Sequence, residues 1–185
     1  MRPRLTIFCV AVLLAGLLGT GQAENSQTNQ TIMKLQLTTT AFTPGQPIPS
    51  RHAYDKEDLS PALQWSGIPP TAKSLALICD DPDAPRGTWV HWVLYDLPTS
   101  TAGLSEGVPK ASELSNGAKQ GVNDYKKIGY GGPCPPPGKP HRYFFKLYAL
   151  DTRLDLKPGL NKQDVEHAMK DHIIAEGELM GTYQK

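Results

Sequence analysis

Carboxylates and imidazoles, the side chains most able to do chemistry, gather in three short segments of this sequence. Asp80-Asp81-Pro82-Asp83-Ala84-Pro85 sets three aspartates among two prolines, His91 follows inside an apolar run, and Gly129 to Tyr143 carries glycines, prolines, Cys134, His141 and Tyr143. Ionised carboxylates only accept hydrogen bonds, whereas protonated imidazole donates from both nitrogens, so the histidines are the groups able to hold an anion. Pro82 and Pro85 lock φ and push their neighbours toward extended backbone, which fixes the carboxylates in space. Glycines in the third segment allow backbone amides to approach a ligand closely, and its prolines remove flexibility.

Taken singly, each piece also has a bland reading. An Asp-Pro corner is most often only a turn. A strand histidine beside aromatics is most often a satisfied core residue. A proline run can be a polyproline ligand, although only three consecutive prolines occur here, Pro135 to Pro137. The order of the three pieces around His91 is what favours a common anion pocket.

The elements that must position these groups are mostly strands. Runs at Leu35 to Thr39, Ala62 to Trp65, Ser74 to Cys79, Trp89 to Leu97 and Tyr143 to Leu150 are separated by Pro and Gly, of which the chain has 17 each. Simple alternation places Val90, Trp92 and Leu94 on one face and His91, Val93 and Tyr95 on the other. One helix is signalled: Asn161 as N-cap, Asp164 in the first turn, Leu160 stapling onto Val165, and Val165, Ala168, Met169, His172 and Ile173 at helical spacing, with Gly177 as the stop. A last strand is expected from Glu178 to Tyr183.

The N-terminus opens with Arg2 and Arg4, continues apolar from Leu5 to Leu18 and ends in small residues at Ala23. The apolar run is shorter than the roughly 20 residues a membrane-spanning helix needs, so residues 1–23 read as a cleaved secretory signal. Cys9 would leave with it. Residues 24–33 read as a flexible lead-in, polar as far as Thr31 and including the sequon Asn29-Gln30-Thr31, and residues 34–185 as one domain. Without Arg2 and Arg4 the 19 basic residues fall to 17 against 18 acidic, which provides no broad footprint for nucleic acid or a membrane surface. An exported protein, periplasmic or secreted and not membrane-spanning, is the expectation.

Together, Asp-Pro-Asp-Ala-Pro, Trp89-Val90-His91-Trp92, Gly-Gly-Pro-Cys-Pro-Pro and His141-Arg142-Tyr143 resemble the phosphatidylethanolamine-binding protein family. The likeness is to its bacterial branch, often called Raf-kinase-inhibitor-like, and runs from about Leu35 to Tyr183. It implies a mainly β, Greek-key fold of two antiparallel sheets with a C-terminal helix, and a pocket for phosphate or a phosphorylated head group. By position it implies Asp81, Asp83, His91, His141 and Tyr143 as pocket residues, Pro135 and Pro136 as part of the wall, and Gly132 in the loop that approaches the ligand. Gln120 to Asp124 resembles the branch's extra loop, and Pro137 makes the proline run longer than the usual two. Relatives in the branch are often dimeric, so a homodimer is a possible state.

Ionised Asp81 and Asp83 would repel phosphate, so they are expected to orient His91 and His141 or to accept from a head-group amine. Binding should then weaken as pH rises through the histidine titration. Cys79 and Cys134 both border the proposed pocket; a disulfide between them would clamp the site, and a reduced pair would fit redox chemistry.

The function this supports is non-enzymatic capture of a phosphorylated small molecule, a phospholipid head group or a phosphopeptide, with no cofactor. Two alternatives are an inhibitor or regulator of a protein partner, kinase or protease, and a weak hydrolase. The hydrolase idea rests on Gly103-Leu104-Ser105-Glu106-Gly107, which matches the nucleophile-elbow pattern but lies between Pro98 and Pro109 where a strand and a helix are required. A metal site has little support, since no HExxH or paired CxxC occurs and His167 and His172, five apart, do not share a helix face.

Overall fold

The computed structural model describes residues 32–185. The expected signal, the sequon and most of the lead-in lie outside the described residues. Met33, expected in that lead-in, already pairs as a strand. In chain order the elements are β1 (Met33–Lys34), β2 (Gln36–Thr38), a 3-10 turn (Ser50–His52), β3 (Leu63–Ser66), β4 (Ser74–Asp81), β5 (Trp89–Leu97), β6 (Gly103–Leu104), β7 (Lys119–Gln120), β8 (His141–Leu150), α1 (Lys162–Met169) and β9 (Ile173–Tyr183).

Two sheets form, as expected. The larger has the order β1-β9-β8-β4-β5-β7 and the smaller β2-β3-β6. Pairing is antiparallel except at β1, which runs parallel to β9. β4 lies between β5 and β8, and all eight of its residues are buried, so after Ser74 its sequence is an unbroken apolar run from Leu75 to Cys79. Its alternate residues serve two cores. Leu75, Leu77 and Cys79 pack with Leu63 and Trp65 of the small sheet, while Ala76 and Ile78 pack with Val165 and Met169 of α1.

Beyond Cys79 the strand continues through Asp80 and Asp81, so those two carboxylates sit on a ladder rather than in a turn. Asp80 faces α1 and receives Lys146 Nζ at 3.1 Å and Lys162 Nζ at 2.5 Å. Asp81 faces the other way, toward the loop before β8.

Alternation fails on β5 at the position that matters most. Cys79 pairs with Trp92 and Asp80 with Val90, so one step on β4 spans two on β5, and His91 is the extra residue of a bulge. Val90 therefore packs with Val93 and Tyr95 beneath α1, and Trp92 with Leu94 in the other core. His91 does not share a face with Val93 and Tyr95, contrary to the simple pattern.

The helix starts where expected, with Asn161 Oδ1 accepting from Asp164 N at 3.0 Å, but it stops at Met169 and does not reach Ile173. Lys170 leaves helical geometry and Asp171 has φ 66°. Gly177 is no helix stop: it lies inside β9, where a Cβ would come within 2.6 Å of Leu35 O. Ile173 to Gly177 joins the sheet because β8 offers ten residues of ladder, pairing as far as Leu150 with Ile173.

Candidate functional site

At one end of the larger sheet a cavity of about 320 Å³ is lined by Tyr54, Asp81, Ala84, Pro85, Trp89, His91, Tyr125, Cys134, Pro135, Pro136, His141 and Tyr143. Three strands supply its floor. Asp81 ends β4, Trp89 and His91 open β5, and His141 and Tyr143 open β8. The bulge turns the His91 ring toward Tyr143, whose ring centroid lies 5.1 Å away in an edge contact. Tyr54 and Tyr125 stack at 3.8 Å to form a side wall, and Trp89 meets Tyr125 edge-on at 5.4 Å.

His91 Nδ1 donates to Gly131 O at 2.6 Å, so the loop carbonyl and not an aspartate orients this ring. That bond leaves Nε2 facing no partner. Trp89 Nε1 and Tyr143 Oη are likewise buried without a hydrogen-bond partner, and these three are the only such side-chain atoms among the described residues. Buried polar atoms are normally satisfied, so three orphans in residues lining one cavity set this region apart from the rest of the described residues. With Nδ1 protonated, neutral His91 presents a lone pair at Nε2 and protonated His91 presents a donor. Burial pushes the His91 pKa below its ordinary value, although Gly131 O and the charge of Asp81 oppose this. Burial likewise raises the Tyr143 phenol, so its hydroxyl keeps its proton.

His141 Nδ1 donates to Asp81 Oδ2 at 2.8 Å, as expected for a carboxylate that orients an imidazole, and this leaves Nε2 for the cavity. Asp81 Oδ1 accepts from Asp83 N at 2.8 Å and so closes the Asp-Pro corner. Asp83 itself does not line the cavity and orients no histidine. It receives Arg142 Nε at 2.9 Å, Arg142 Nη2 at 2.8 Å and the Arg142 backbone N at 3.0 Å, a fork that ties the corner to the start of β8. The Arg142 guanidinium holds the Asp83 carboxyl down to about 2.

Gly132 also differs from its expected part. It does not line the cavity but packs behind it, with its amide donating to Asp58 Oδ1 at 2.8 Å and its carbonyl accepting from Tyr125 Oη at 3.0 Å. A Cβ there would fall 1.9 Å from His52 O, so only glycine lets the loop seat this closely. Pro135 and Pro136 line the cavity, whereas Pro137 is exposed and does not line it.

Of the two arrangements left open for Cys79 and Cys134, the structure has the reduced one: both thiols are free. Cys79 Sγ belongs to the core between the sheets, while Cys134 stands at the cavity beside Lys185 Nζ, 3.6 Å from its sulfur. Strand alternation explains this, because Cys79 shares its face with the apolar Leu75 and Leu77 and is buried among them.

Sequence reasoning did not single out Tyr54, Tyr125, Ala84 or Trp89 as site residues. Tyr125 directly follows the Gln120 to Asp124 segment, and that segment anchors it, with Asp124 Oδ2 accepting from Val90 N at 2.7 Å. Tyr54 carries no local signal, since only the fold brings it from the region after the 3-10 turn to the wall. Ser105 is flanked by the two-residue strand β6 and a loop rather than a helix, so it lacks the nucleophile-elbow setting. Among the described residues no group of three or more His, Cys, Asp or Glu is placed to hold a metal ion.

The phosphatidylethanolamine-binding protein family model matches residues 38–184. A UPF0098 protein of Methanothermobacter thermautotrophicus is 54% identical over 151 residues, covering 82% of this chain and 99% of that one. A second UPF0098 protein, from Aquifex aeolicus, is 48% identical over 147 residues, 78% of this chain and 85% of the relative. Among solved structures, a phosphatidylethanolamine-binding protein homologue from Chlamydia trachomatis superposes with TM-score 0.74 at 43% identity, covering 82% of this chain and 98% of the other. YbcL of E. coli, described as a member of the mammalian family, superposes with TM-score 0.77 at 32% identity, covering 82% and 99%. On these matches the chain belongs to the phosphatidylethanolamine-binding protein family.

Proposed function

We propose that the protein is a non-enzymatic binding module that captures a phosphate-bearing ligand, a small molecule or a phospholipid head group, in the cavity around His91. The observation that carries this reading is the trio of unpartnered buried atoms, Trp89 Nε1, His91 Nε2 and Tyr143 Oη, in residues lining one cavity. Two donors and one switchable nitrogen suit a phosphate oxygen cluster, and His141, oriented by Asp81, adds a further imidazole. Aromatic and proline walls complete a site that is concave, mostly apolar and sparsely polar, as ligand sites usually are. Export through the N-terminal signal would place this capture in the periplasm or outside the cell.

Titration calorimetry with phosphoethanolamine and inorganic phosphate tests the reading. Saturable binding that drops about tenfold, equivalent to about 1.4 kcal/mol, in Tyr143→Phe is expected. Absence of heat with either ligand from pH 5 to 8 would refute it.

A further inference from the structure

Cys134 is the one cavity-lining residue with a nucleophile that anion capture does not use. Its thiol stands at the wall beside Tyr54, Pro135, Pro136 and His141, half-buried rather than sealed in the core as Cys79 is. Lys185 Nζ lies 3.6 Å from Sγ and is itself fixed by Asp55 Oδ2 at 2.8 Å, so the last residue of the chain sets an ammonium on the sulfur. A lone thiol would carry no inference. Here the same cavity holds the unpartnered His91 Nε2 and Tyr143 Oη, in residues 2% and 1% exposed, which mark a place for a negatively charged group within the space the thiol borders.

We propose that Cys134 is a thiol-exchange site for small anionic disulfides, and that the resulting adduct fills the phosphate cavity and closes it. The Cys134 thiolate attacks one sulfur of RS–SR, the new Sγ–S bond forms as the old S–S bond breaks, and RS⁻ departs and takes a proton from water. Cys134 is oxidised and half of the disulfide is reduced, so no other oxidant enters. A carboxylate on the R group held at Cys134 would lie among the donors that otherwise receive phosphate, and Lys185 favours an anionic reagent at the mouth. The thiol site stands on its own geometry; its gating effect rests on the phosphate reading.

The experiment incubates the full chain with glutathione disulfide or with the cationic disulfide cystamine and maps adducts by peptide mass spectrometry. An adduct on Cys134 with Cys79 spared, formed several-fold faster with glutathione disulfide than with cystamine, is expected. Fluorescence of Trp89, isolated by comparison with Trp89→Phe, should shift as the adduct forms, and dithiothreitol should reverse the shift. Saturating inorganic phosphate should slow the reaction, the adduct should abolish phosphate heat in calorimetry, and Cys134→Ser should bind phosphate equally before and after treatment. No adduct on Cys134, a preference for cystamine, or an adduct that leaves both Trp89 emission and phosphate affinity unchanged would overturn the inference. An adduct that shifts Trp89 in a protein that never binds phosphate would uphold the thiol site and refute the phosphate reading instead.

Discussion

Tyr143 and His91 each hold a buried polar atom without a hydrogen-bond partner. A buried hydroxyl without a partner destabilises by about 1–3 kcal/mol, so Tyr143→Phe should raise the urea midpoint of the unliganded protein while weakening phosphate binding. A purely structural tyrosine would give the opposite sign in the first measurement. His91 sets a pH dependence of matching logic. Its folded pKa lies below the unfolded value of about 6.5, so the unfolded chain takes up the proton first and stability, full above that value, is lost as pH falls beneath it. An anion that pairs with the imidazolium opposes this loss, and phosphate should therefore protect more at pH 5.5 than at pH 7.5, a difference that thermal unfolding with and without phosphate would register. The direction agrees with binding that weakens as pH rises, but burial moves the His91 part of the transition to lower pH than a free imidazole would have. Asp83 contributes only in stronger acid, as pH falls from its ordinary range toward about 2, and its half-exposed partner Arg142 keeps that share small.

At the scale of elements, the loop from Gly129 to Pro140 and the bulge in β5 divide the work. The loop is fastened from behind by Asp58 and His52, and Gly132→Ala should push it off those contacts. Calorimetry should then show phosphate affinity lost to a greater degree than circular dichroism shows lost sheet. Proline and glycine content made this loop readable, and the proline walls followed. Its anchor Asp58, at φ 55° and distant in sequence, left no pattern to read. Strands β4, β5 and β8 were visible as apolar runs, and the N-cap Asn161 found the helix. What misled was reading periodicity one strand at a time: Gly177 looks like a helix stop until β8 is there to pair with it, and His91 appears to share the Val93 face until the register across β4 exposes the extra residue. Asp83 was sought at a histidine for want of any means to see that Arg142 would reach it first.

For the whole molecule, the two cores meet across the large sheet, and Asp80 ties α1 to it through Lys146 and Lys162. Asp80→Ala leaves two lysines facing a vacated, fully buried carboxylate position, and a loss of about 3 kcal/mol in denaturant unfolding is expected. Because Asp80 and Asp81 point to opposite faces of β4, that loss should leave phosphate affinity of the folded fraction within about twofold, whereas Asp81→Ala should weaken it without a comparable fall in stability. The same register holds a consequence for engineering. Deleting His91 alone would bring Val90 and Trp92 into consecutive steps opposite Asp80 and Cys79, each already on its proper side. Removal of this one residue would yield a more regular sheet than the parent, with a cavity that keeps its walls and His141 but loses one of its two imidazoles.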